Sequence, residues 1–362
     1  MLQLENRTPF KASITVLPDA TGVDTLYATL RGTFSIVGAR LEIAAAQPPV
    51  RAADDYTTAT SATSATPRPG PAGPTAPRAL ERASLRHAGE IHLAKPSTDV
   101  LLSGHAVAPR GRAPQVDVAL SVGPVRKTIR VFGDREWKGL LDASISAPVP
   151  FDRVPLIYER AFGGVLFLDP DTGKITLEPR NPAGVGFARR GKNGEISARL
   201  LPNLEDPRQL ITSPNDQPPP AGFGPIAPSW EPRRSFVGTY DEAWRTRRAP
   251  YLPADFSPRF FNTAPPDLVC KGYLRGGEPV EVLNASPTPL KFRLPLCHFD
   301  AQVHLAGRIE RPELHLETVS IEPDELRVTL LWRAAVPCDK RALRVERVRL
   351  EARQIDLGGR PS

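Results

Sequence analysis

The chain has 362 residues, of which 40% are hydrophobic and 24% are charged, as in a protein with a folded core. Its 41 prolines and 27 glycines exclude a mainly helical architecture, because both residue types weaken helix interiors. The net charge of +7 comes mostly from arginine, since only nine of the 47 basic residues are lysine. Basic and acidic residues alternate, as in 344–351, which favours a solvated surface over a nucleic-acid-binding stripe.

The sequence also indicates a cellular compartment. Its first ten residues lack the basic lead and apolar core of a signal peptide. No run of about 18 uncharged apolar residues exists, so we expect no membrane-spanning helix. The three cysteines, Cys270, Cys297 and Cys338, are odd in number and far apart, which is typical of free thiols in a reducing compartment. These features predict a cytoplasmic protein.

The first part of the chain, residues 1–147, alternates apolar and polar residues as strands do. The predicted strands lie within 11–44 and at 98–106, 115–122 and 127–132, the last two joined by a turn at Gly123-Pro124. A segment of about 57–78, rich in Thr, Ala, Ser and Pro, has almost no large apolar side chain. We therefore expect it to be a mobile loop inserted in the fold.

Residues 148–268 have a different character, being dense in Pro, Gly, Asn, Asp and aromatic residues. Two hairpin turns are predicted, at 170–173 and at Asn193-Gly194. A structureless loop of this length is uncommon in a compact protein, and the aromatic side chains require burial. The region is therefore predicted to be ordered, irregular and packed against the strands.

Residues 269–362 form a second β-rich part, with strands predicted at 278–283, 290–294, 302–309, 313–321, 325–332 and 346–355. No repeat with a period of 20 to 50 residues occurs, which argues against a solenoid or a propeller. The predicted fold class is all-β, mainly antiparallel and sandwich-like, with one long irregular region and little helix.

Several carboxylates lie in turn-like settings and are candidates for chemistry or for loop structure. Two that converge could act as the acid and base of a glycosidase. The favoured interpretation is that each one caps a turn or pairs with a nearby arginine. The carboxylates are Asp134, Glu159, Asp206, Asp241 and Asp255, and the arginines are Arg135, Arg160, Arg208, Arg245 and Arg259.

Metal and cofactor chemistry has little support in the sequence. If 297–304 is one strand, His298, Asp300, Gln302 and His304 share a face, but no second pair of ligands completes a structural zinc site. The chain contains no Gly-x-Ser-x-Gly elbow, no phosphate-binding Gly-rich loop and no dinucleotide fingerprint. We therefore predict no metal, no cofactor and no enzymatic activity.

Tryptophan and arginine are enriched where proteins bind one another, and both occur in the irregular region. The alternative is that the tryptophans are core residues and the arginines are solvated, and the sequence leaves the two interpretations open. The residues predicted to contact a protein or to organise loops are Trp137, Glu159, Arg160, Asp206, Phe223, Trp230, Tyr240, Asp241, Trp244 and Asp255.

A series of different, long and unusual motifs occurs in order over about residues 1–295. They include Asn6-x-Thr-Pro-Phe10, Lys95-Pro-x-Thr-Asp-Val100, Val131-Phe-Gly-Asp-Arg-x-Trp137, Tyr158-Glu-Arg-Ala-Phe-Gly-Gly164, Asn181-Pro-x-Gly-x-Gly-Phe187, Leu201-Pro-Asn-Leu-Glu-Asp-Pro207, Pro220-Ala-Gly-Phe-Gly-Pro225, Gly238-Thr-Tyr-Asp241 and Leu252-Pro-x-Asp-Phe256. In these blocks the chain resembles the bacterial family catalogued as domain of unknown function 2169, which is found with type VI secretion systems.

The resemblance implies an accessory role, that of an adaptor or chaperone that binds an effector protein and helps to load it onto the secretion spike. The expected partners are therefore an effector and a spike or spike-tip protein. The family supplies no catalytic residues to carry over. Two alternatives are a carbohydrate-binding or carbohydrate-processing β protein, and a structural component of the secretion apparatus.

Overall fold

The chain folds mainly into β-strands, and the all-β prediction is confirmed. The computed structural model describes residues 3–57, 83–139, 143–169, 174–189 and 196–358. The predicted loop of about 57–78, apart from Thr57, lies outside these residues, as do the predicted turns at 170–173 and Asn193-Gly194.

The described strands are numbered here in chain order. They are β1 Gln3–Arg7, β2 Lys11–Pro18, β3 Asp24–Val37, β4 Arg40–Ile43, β5 Asp55–Tyr56, β6 Leu85–His87, β7 Asp99–Leu102, β8 His105–Val107, β9 Gln115–Val122, β10 Val125–Phe132, β11 Trp137–Lys138, β12 Ser144–Ile145, β13 Arg153–Pro155, β14 Phe162–Gly163, β15 Val165–Asp169, β16 Lys174–Leu177, β17 Val185–Gly186, β18 Leu204–Glu205, β19 Pro279–Leu283, β20 Leu290–Arg293, β21 Leu296–Leu305, β22 Arg308–Glu310, β23 His315–Glu322, β24 Arg327–Pro337 and β25 Val345–Asp356.

Helical structure is short. Within the described residues there is a single α-helix, α1, at Glu242–Arg247. Short segments of 3-10 helix occur at Tyr158–Arg160, Arg233–Phe236, Pro258–Phe261, Pro266–Leu268, Pro323–Glu325 and Asp339–Arg344. Among the residues that the structure describes, no helix has the length and apolar character needed to cross a membrane.

The largest sheet has six strands in the order β2-β3-β24-β23-β7, with β4 paired to β3. Its strands are antiparallel except for β7, which runs parallel to β23. Strand β3 is buried along almost its whole length, and its buried residues include Arg31 and Thr33 as well as apolar side chains. Both faces of the sheet are therefore covered at β3, whereas β2 at its edge is only half-buried.

A second sheet has five strands in the order β18-β10-β9-β19-β20. Strands β9 and β10 form the predicted hairpin, in which Gly123 has a φ of +52° that a residue with a side chain rarely adopts. Alternate residues of β9 are buried, as the alternation in the sequence predicts. Strand β18, which belongs to the irregular region, extends the free edge of β10.

A third sheet has four strands in the order β1-β25-β21-β22, with β1 parallel to β25. The prediction of a single strand over 302–309 is wrong. Strand β21 ends at Leu305, and Ala306 and Gly307 then adopt φ values of 52° and 77°, which reverse the chain into β22. This left-handed two-residue turn is the geometry that antiparallel hairpins favour.

One hydrophobic core joins the three sheets. Phe10 stacks on Trp332 of β24 with ring centroids 5.8 Å apart, and Phe299 of β21 meets Trp332 edge-on at 5.0 Å. The N- and C-terminal β-rich parts also share sheets, since β3 pairs with β24 and β9 pairs with β19. The boundaries predicted at 147 and 268 stay a prediction.

A buried ionic cluster connects the six-stranded sheet to the irregular region. Asp99, at the start of β7, is completely buried. Its carboxylate accepts hydrogen bonds from Lys95 Nζ at 2.6 Å, from Asn262 Nδ2 at 2.8 Å and from the Thr263 backbone N–H at 2.7 Å. A buried carboxylate is tolerated only when it is paired and hydrogen-bonded in this way.

We expect Asp99→Asn to destabilise the fold by about 3 kcal/mol, because it leaves the buried Lys95 ammonium without its counter-charge. Urea unfolding followed by tryptophan fluorescence measures the change. The control is Asp206→Asn, which removes an ion pair to the largely exposed Arg208 and should cost less than about 1 kcal/mol. Equal losses for the two variants would contradict the special role of Asp99.

Candidate functional site

Few residues of the irregular region belong to a sheet, so many of its backbone N–H and C=O groups must find hydrogen-bond partners among side chains. Asn181 Nδ2 donates to the carbonyls of Tyr158 and Phe162 at 2.8 and 2.9 Å. A Cβ on Gly163, whose φ is +150°, would lie 2.1 Å from the Asn181 carbonyl oxygen. The motif residues of 158–164 and 181–187 thus interlock, and only glycine allows the close approach.

Arg160 and Asn203 organise a neighbouring set of loops. Asn203 Nδ2 donates to the Phe132 carbonyl and to Asp134 Oδ1, both at 3.0 Å. Arg160 Nη1 donates to Asn203 Oδ1 at 2.9 Å and lies 3.5 Å from Asp134 Oδ1. Asp134 therefore pairs with Arg160, whereas the adjacent Arg135 contacts the buried carboxylate of Glu205.

Glu159 connects the irregular region to the N-terminal part of the chain. Its carboxylate accepts hydrogen bonds from the Ser84 backbone N–H at 3.1 Å, from Ser84 Oγ at 2.6 Å and from Thr57 Oγ1. All of these donors belong to segments distant in sequence from Glu159. This carboxylate is thus engaged in holding the loops together.

Three of the predicted contact residues are core residues. Phe223 and Trp230 are completely buried in the main core, and Trp230 meets the Tyr158 ring edge-on at 5.7 Å. Trp137 is buried in a second, smaller hydrophobic cluster with Phe162. For Trp137 and Trp230 the structure therefore supports the core interpretation that the sequence left open.

A cavity of about 310 Å³ brings several motifs to one place, and we call it the motif pocket. Its lining includes Lys127, Tyr158, Asp206, Pro220 and Asp267. Lys127 Nζ lies 2.8 Å from Asp267 Oδ1, and the Lys127 side chain is only 11% exposed. Burial lowers the pKa of Lys127, and Asp267 opposes that effect. The pocket thus presents an apolar wall with a few fixed charges, which is the usual composition of a binding site.

Asp206 is held at the rim of the motif pocket by Arg208. The Arg208 guanidinium donates to both carboxylate oxygens, at 2.7 Å through Nη2, and this hydrogen bonding lowers the pKa of Asp206. Here the predicted pairing of a loop carboxylate with its nearest arginine is correct. Lys127 and Asp267 were not among the residues predicted, although a lysine within the apolar pattern of β10 is a signal that could have pointed to this pocket.

The other predicted residues lie together in a surface segment, 238–256, which we call the aromatic loop. Asp241 caps α1 by accepting a hydrogen bond from the Trp244 backbone N–H at 2.8 Å. Asp255 accepts from the Thr239 backbone N–H and from Thr239 Oγ1 at 2.9 and 2.7 Å, which lowers the pKa of Asp255. These two carboxylates shape the loop from both ends.

Exposed aromatic rings are the main feature of the aromatic loop. Tyr240 and Trp244 meet at 4.6 Å between ring centroids, and Trp244 Nε1 donates to the Tyr251 carbonyl at 2.8 Å. Tyr240 is 53% exposed and Tyr251 is 44% exposed. No residue of α1 is buried. Tyr251, which the sequence analysis missed, thus completes a surface aromatic cluster of two exposed tyrosines and the half-buried Trp244.

The arginines near these carboxylates do not all act as predicted. Arg245 pairs with Glu242 at 2.8 Å instead of Asp241. Arg259 lies over the Phe236 ring, 4.5 Å from its centroid, instead of pairing with Asp255. Asp241 and Asp255 instead accept hydrogen bonds from the backbone N–H groups of Trp244 and Thr239.

The two histidines and the one cysteine of 297–304 do not form a metal centre within the described part of the chain. Asp300 binds Gln302 Nε2 at 3.0 Å and Arg353 Nη2 at 2.8 Å. Among the residues that the structure describes, no group of three or more His, Cys, Asp or Glu side chains is placed to hold an ion. Burial raises the pKa of Cys297 to about 12, which keeps this thiol protonated.

We expect Asn181→Ala to destabilise the protein by about 2–4 kcal/mol, because it leaves two buried carbonyls without their donor. Near-UV circular dichroism in a urea titration would detect the loss. Gln209→Ala, at an exposed position in the same region, is the control and should change stability by less than about 0.5 kcal/mol. A similarly small effect of Asn181→Ala would show that the motif is not structural.

Comparison with known proteins places the chain in one family. No curated protein and no solved structure gives a significant match. Residues 70–333, more than half of the chain, match the family model described as an uncharacterized protein conserved in bacteria, DUF2169. The matched segment includes the motif pocket and the aromatic loop. The chain belongs to the DUF2169 family.

Proposed function

We propose that this protein is an adaptor of type VI secretion, which binds an effector protein in the cytoplasm of the donor cell and helps to load it onto the spike complex. The proposal rests on family membership, on the role that the motif resemblance implies, and on the surface chemistry of the aromatic loop. The aromatic loop is the predicted contact surface for the effector.

The observation that carries this proposal is the cluster of Tyr240, Trp244 and Tyr251, in which both tyrosines are exposed and Trp244 is half-buried. Tyrosine and tryptophan bury large areas on binding and are enriched among residues that dominate binding energy. Rings that stay in water contribute little to the stability of the free protein. A partner that covers them stabilises the complex by burying their apolar area.

The loop is organised before a partner arrives. The Asp241 cap, the Asp255–Thr239 hydrogen bonds and the Trp244–Tyr251 hydrogen bond each fix one part of it. Preorganisation lowers the entropy lost on association, so a modest interface can still give useful affinity. Such an interface suits a partner that is bound and later handed over.

The charge of the loop indicates what surrounds the aromatic cluster on the partner. Arg247 is exposed and has no hydrogen-bond or ion-pair partner among the described residues. Arg248 Nη2 instead donates to the Ala20 carbonyl at 2.8 Å and anchors the loop. An effector surface with an apolar centre and an acidic rim would complement this arrangement.

We expect Tyr240→Ala to weaken effector binding at least tenfold, because it removes the most exposed ring of the cluster without disturbing the hydrogen bonds of the loop. The experiment is affinity purification of the tagged chain with the products of the neighbouring genes, followed by titration calorimetry with any protein retained. The melting temperature of the variant should equal that of the wild type.

Ile309→Ala is the matched control, since Ile309 is 50% exposed on the four-stranded sheet and should not affect binding. Failure of the wild-type chain to retain any effector or spike protein would overturn the adaptor proposal. Binding to oligosaccharides in place of a protein would favour the carbohydrate-binding alternative. Incorporation in fixed stoichiometry into the assembled apparatus would favour a structural component.

A further inference from the structure

Strand β2 is the longest of the strands that end the three main sheets. It closes one side of the six-stranded sheet, and no further strand pairs with it among the described residues. It has eight residues, whereas the other edge strands of these sheets have two to five. Each of those shorter strands contains a charged residue, whereas β2 is uncharged from Ala12 to Pro18. Proteins normally protect a long edge with charges or bulges, so an unprotected edge indicates a partner.

Alternate residues of β2 direct their backbone N–H and C=O groups away from the sheet. In an antiparallel pair, only every second residue exchanges hydrogen bonds with the opposite strand. The Asp19 N–H donates to the Val23 carbonyl at 2.8 Å, and this pair continues the register of β2 on β3. The odd-numbered residues of β2 therefore bond to β3. The backbone groups of Ala12, Ile14 and Val16 face outward.

The chain itself closes this outward edge at both ends. At Phe10, Asn6 Nδ2 donates to the backbone carbonyl at 2.7 Å, and Thr8 Oγ1 accepts from the backbone N–H at 3.2 Å. At the other end, Pro18 has no backbone N–H to donate. The outward backbone groups between these ends find no hydrogen-bond partner in the part of the chain that the structure describes. The free edge is thus a short segment centred on Ile14.

This free edge is complementary to itself about a two-fold axis through Ile14. Antiparallel pairing about that axis places Ile14 opposite its own copy and Ala12 opposite the partner's Val16. Each outward N–H then meets an outward C=O, with two hydrogen bonds at each such pair. The side chains of Ala12, Ile14 and Val16 pack against the main core, so the pairing would extend that apolar face across both copies.

The ends of the edge also match under the same axis. Phe10, whose outward groups are already bonded, lies opposite the partner's Pro18, which lacks a donor. Lys11, the one charged residue of β2, lies opposite the partner's Leu17, so no like charges meet. An unrelated strand would have to reproduce both features, whereas a second copy of this chain has them already.

We propose that this protein forms a two-fold dimer through β2, in which the six-stranded sheets of two copies join into one continuous sheet. The interface is formed by backbone hydrogen bonds at Ala12, Ile14 and Val16 and by the side chains beside them. Such an interface is short, so the dimer is reversible and depends on protein concentration. This inference does not depend on the adaptor proposal.

The test is the mass of the full chain in solution, measured by analytical ultracentrifugation over a wide range of protein concentration. We expect a monomer–dimer equilibrium in the wild type. Val16→Pro removes an outward N–H and should raise the dissociation constant of the dimer at least tenfold, since both copies lose a donor. Val16→Ala is the matched control, because it also removes the valine side chain but keeps the N–H, and it should change this constant much less.

Thr15→Pro tests the direction of the backbone groups. The Thr15 N–H belongs to the ladder with β3, so its loss should lower the melting temperature of the monomer strongly. Val16→Pro and Val16→Ala should melt alike when diluted to monomers, because neither loses a hydrogen bond to β3. Equal destabilisation by Thr15→Pro and Val16→Pro would show that Val16 does not face outward, and would overturn the proposal.

Hydrogen exchange of the wild type gives a readout that needs no variant. The amides of Ala12, Ile14 and Val16 should be protected in the dimer and should exchange rapidly in the diluted monomer. A chain that stays monomeric at every concentration would overturn the proposal, as would a dimer that Val16→Pro leaves intact. A monomer in which these amides become protected only when an effector binds would assign the edge to the effector and overturn the dimer.

Discussion

The Asp99 carboxylate is the interaction on which the arrangement of this molecule depends most. It joins two distant pieces of chain, since Lys95 lies four residues before it, whereas Asn262 and Thr263 belong to the irregular region. Both charged partners are almost completely buried, so neither can exchange its partner for water without a large desolvation penalty. The irregular region is thereby fixed to β7, the strand of the six-stranded sheet that runs parallel to its neighbour.

The same physical rule explains the composition of the irregular region. Backbone that is packed without sheet pairing must find hydrogen-bond partners among side chains. Asn181 and Asn203 supply donors to loop carbonyls, while Glu159 and Glu205 accept from loop N–H groups. Many of the unusual motif residues therefore maintain the fold. Their presence identifies the family without by itself identifying a binding surface.

Sequence reasoning predicted the strands well because alternation of apolar and polar residues directly reflects burial, as in β9. It could not separate Trp230 from Trp244. Both tryptophans occur in similar loop sequences, yet one is completely buried and the other borders solvent. That difference arises from packing between distant segments, which no local pattern records. The choice of Thr239 over Arg259 as the partner of Asp255 has the same origin.

The aromatic loop is connected to the body of the protein through the turn between β2 and β3. The Tyr251 ring packs against Gly22, whose φ of +92° and missing side chain make room for it, and Arg248 binds the Ala20 carbonyl beside it. A loop held at its base and exposed at its tip can present aromatic rings without rearranging on binding. Because little ordering entropy is then lost, affinity can be set by few contacts, and a loss of those contacts releases the partner quickly.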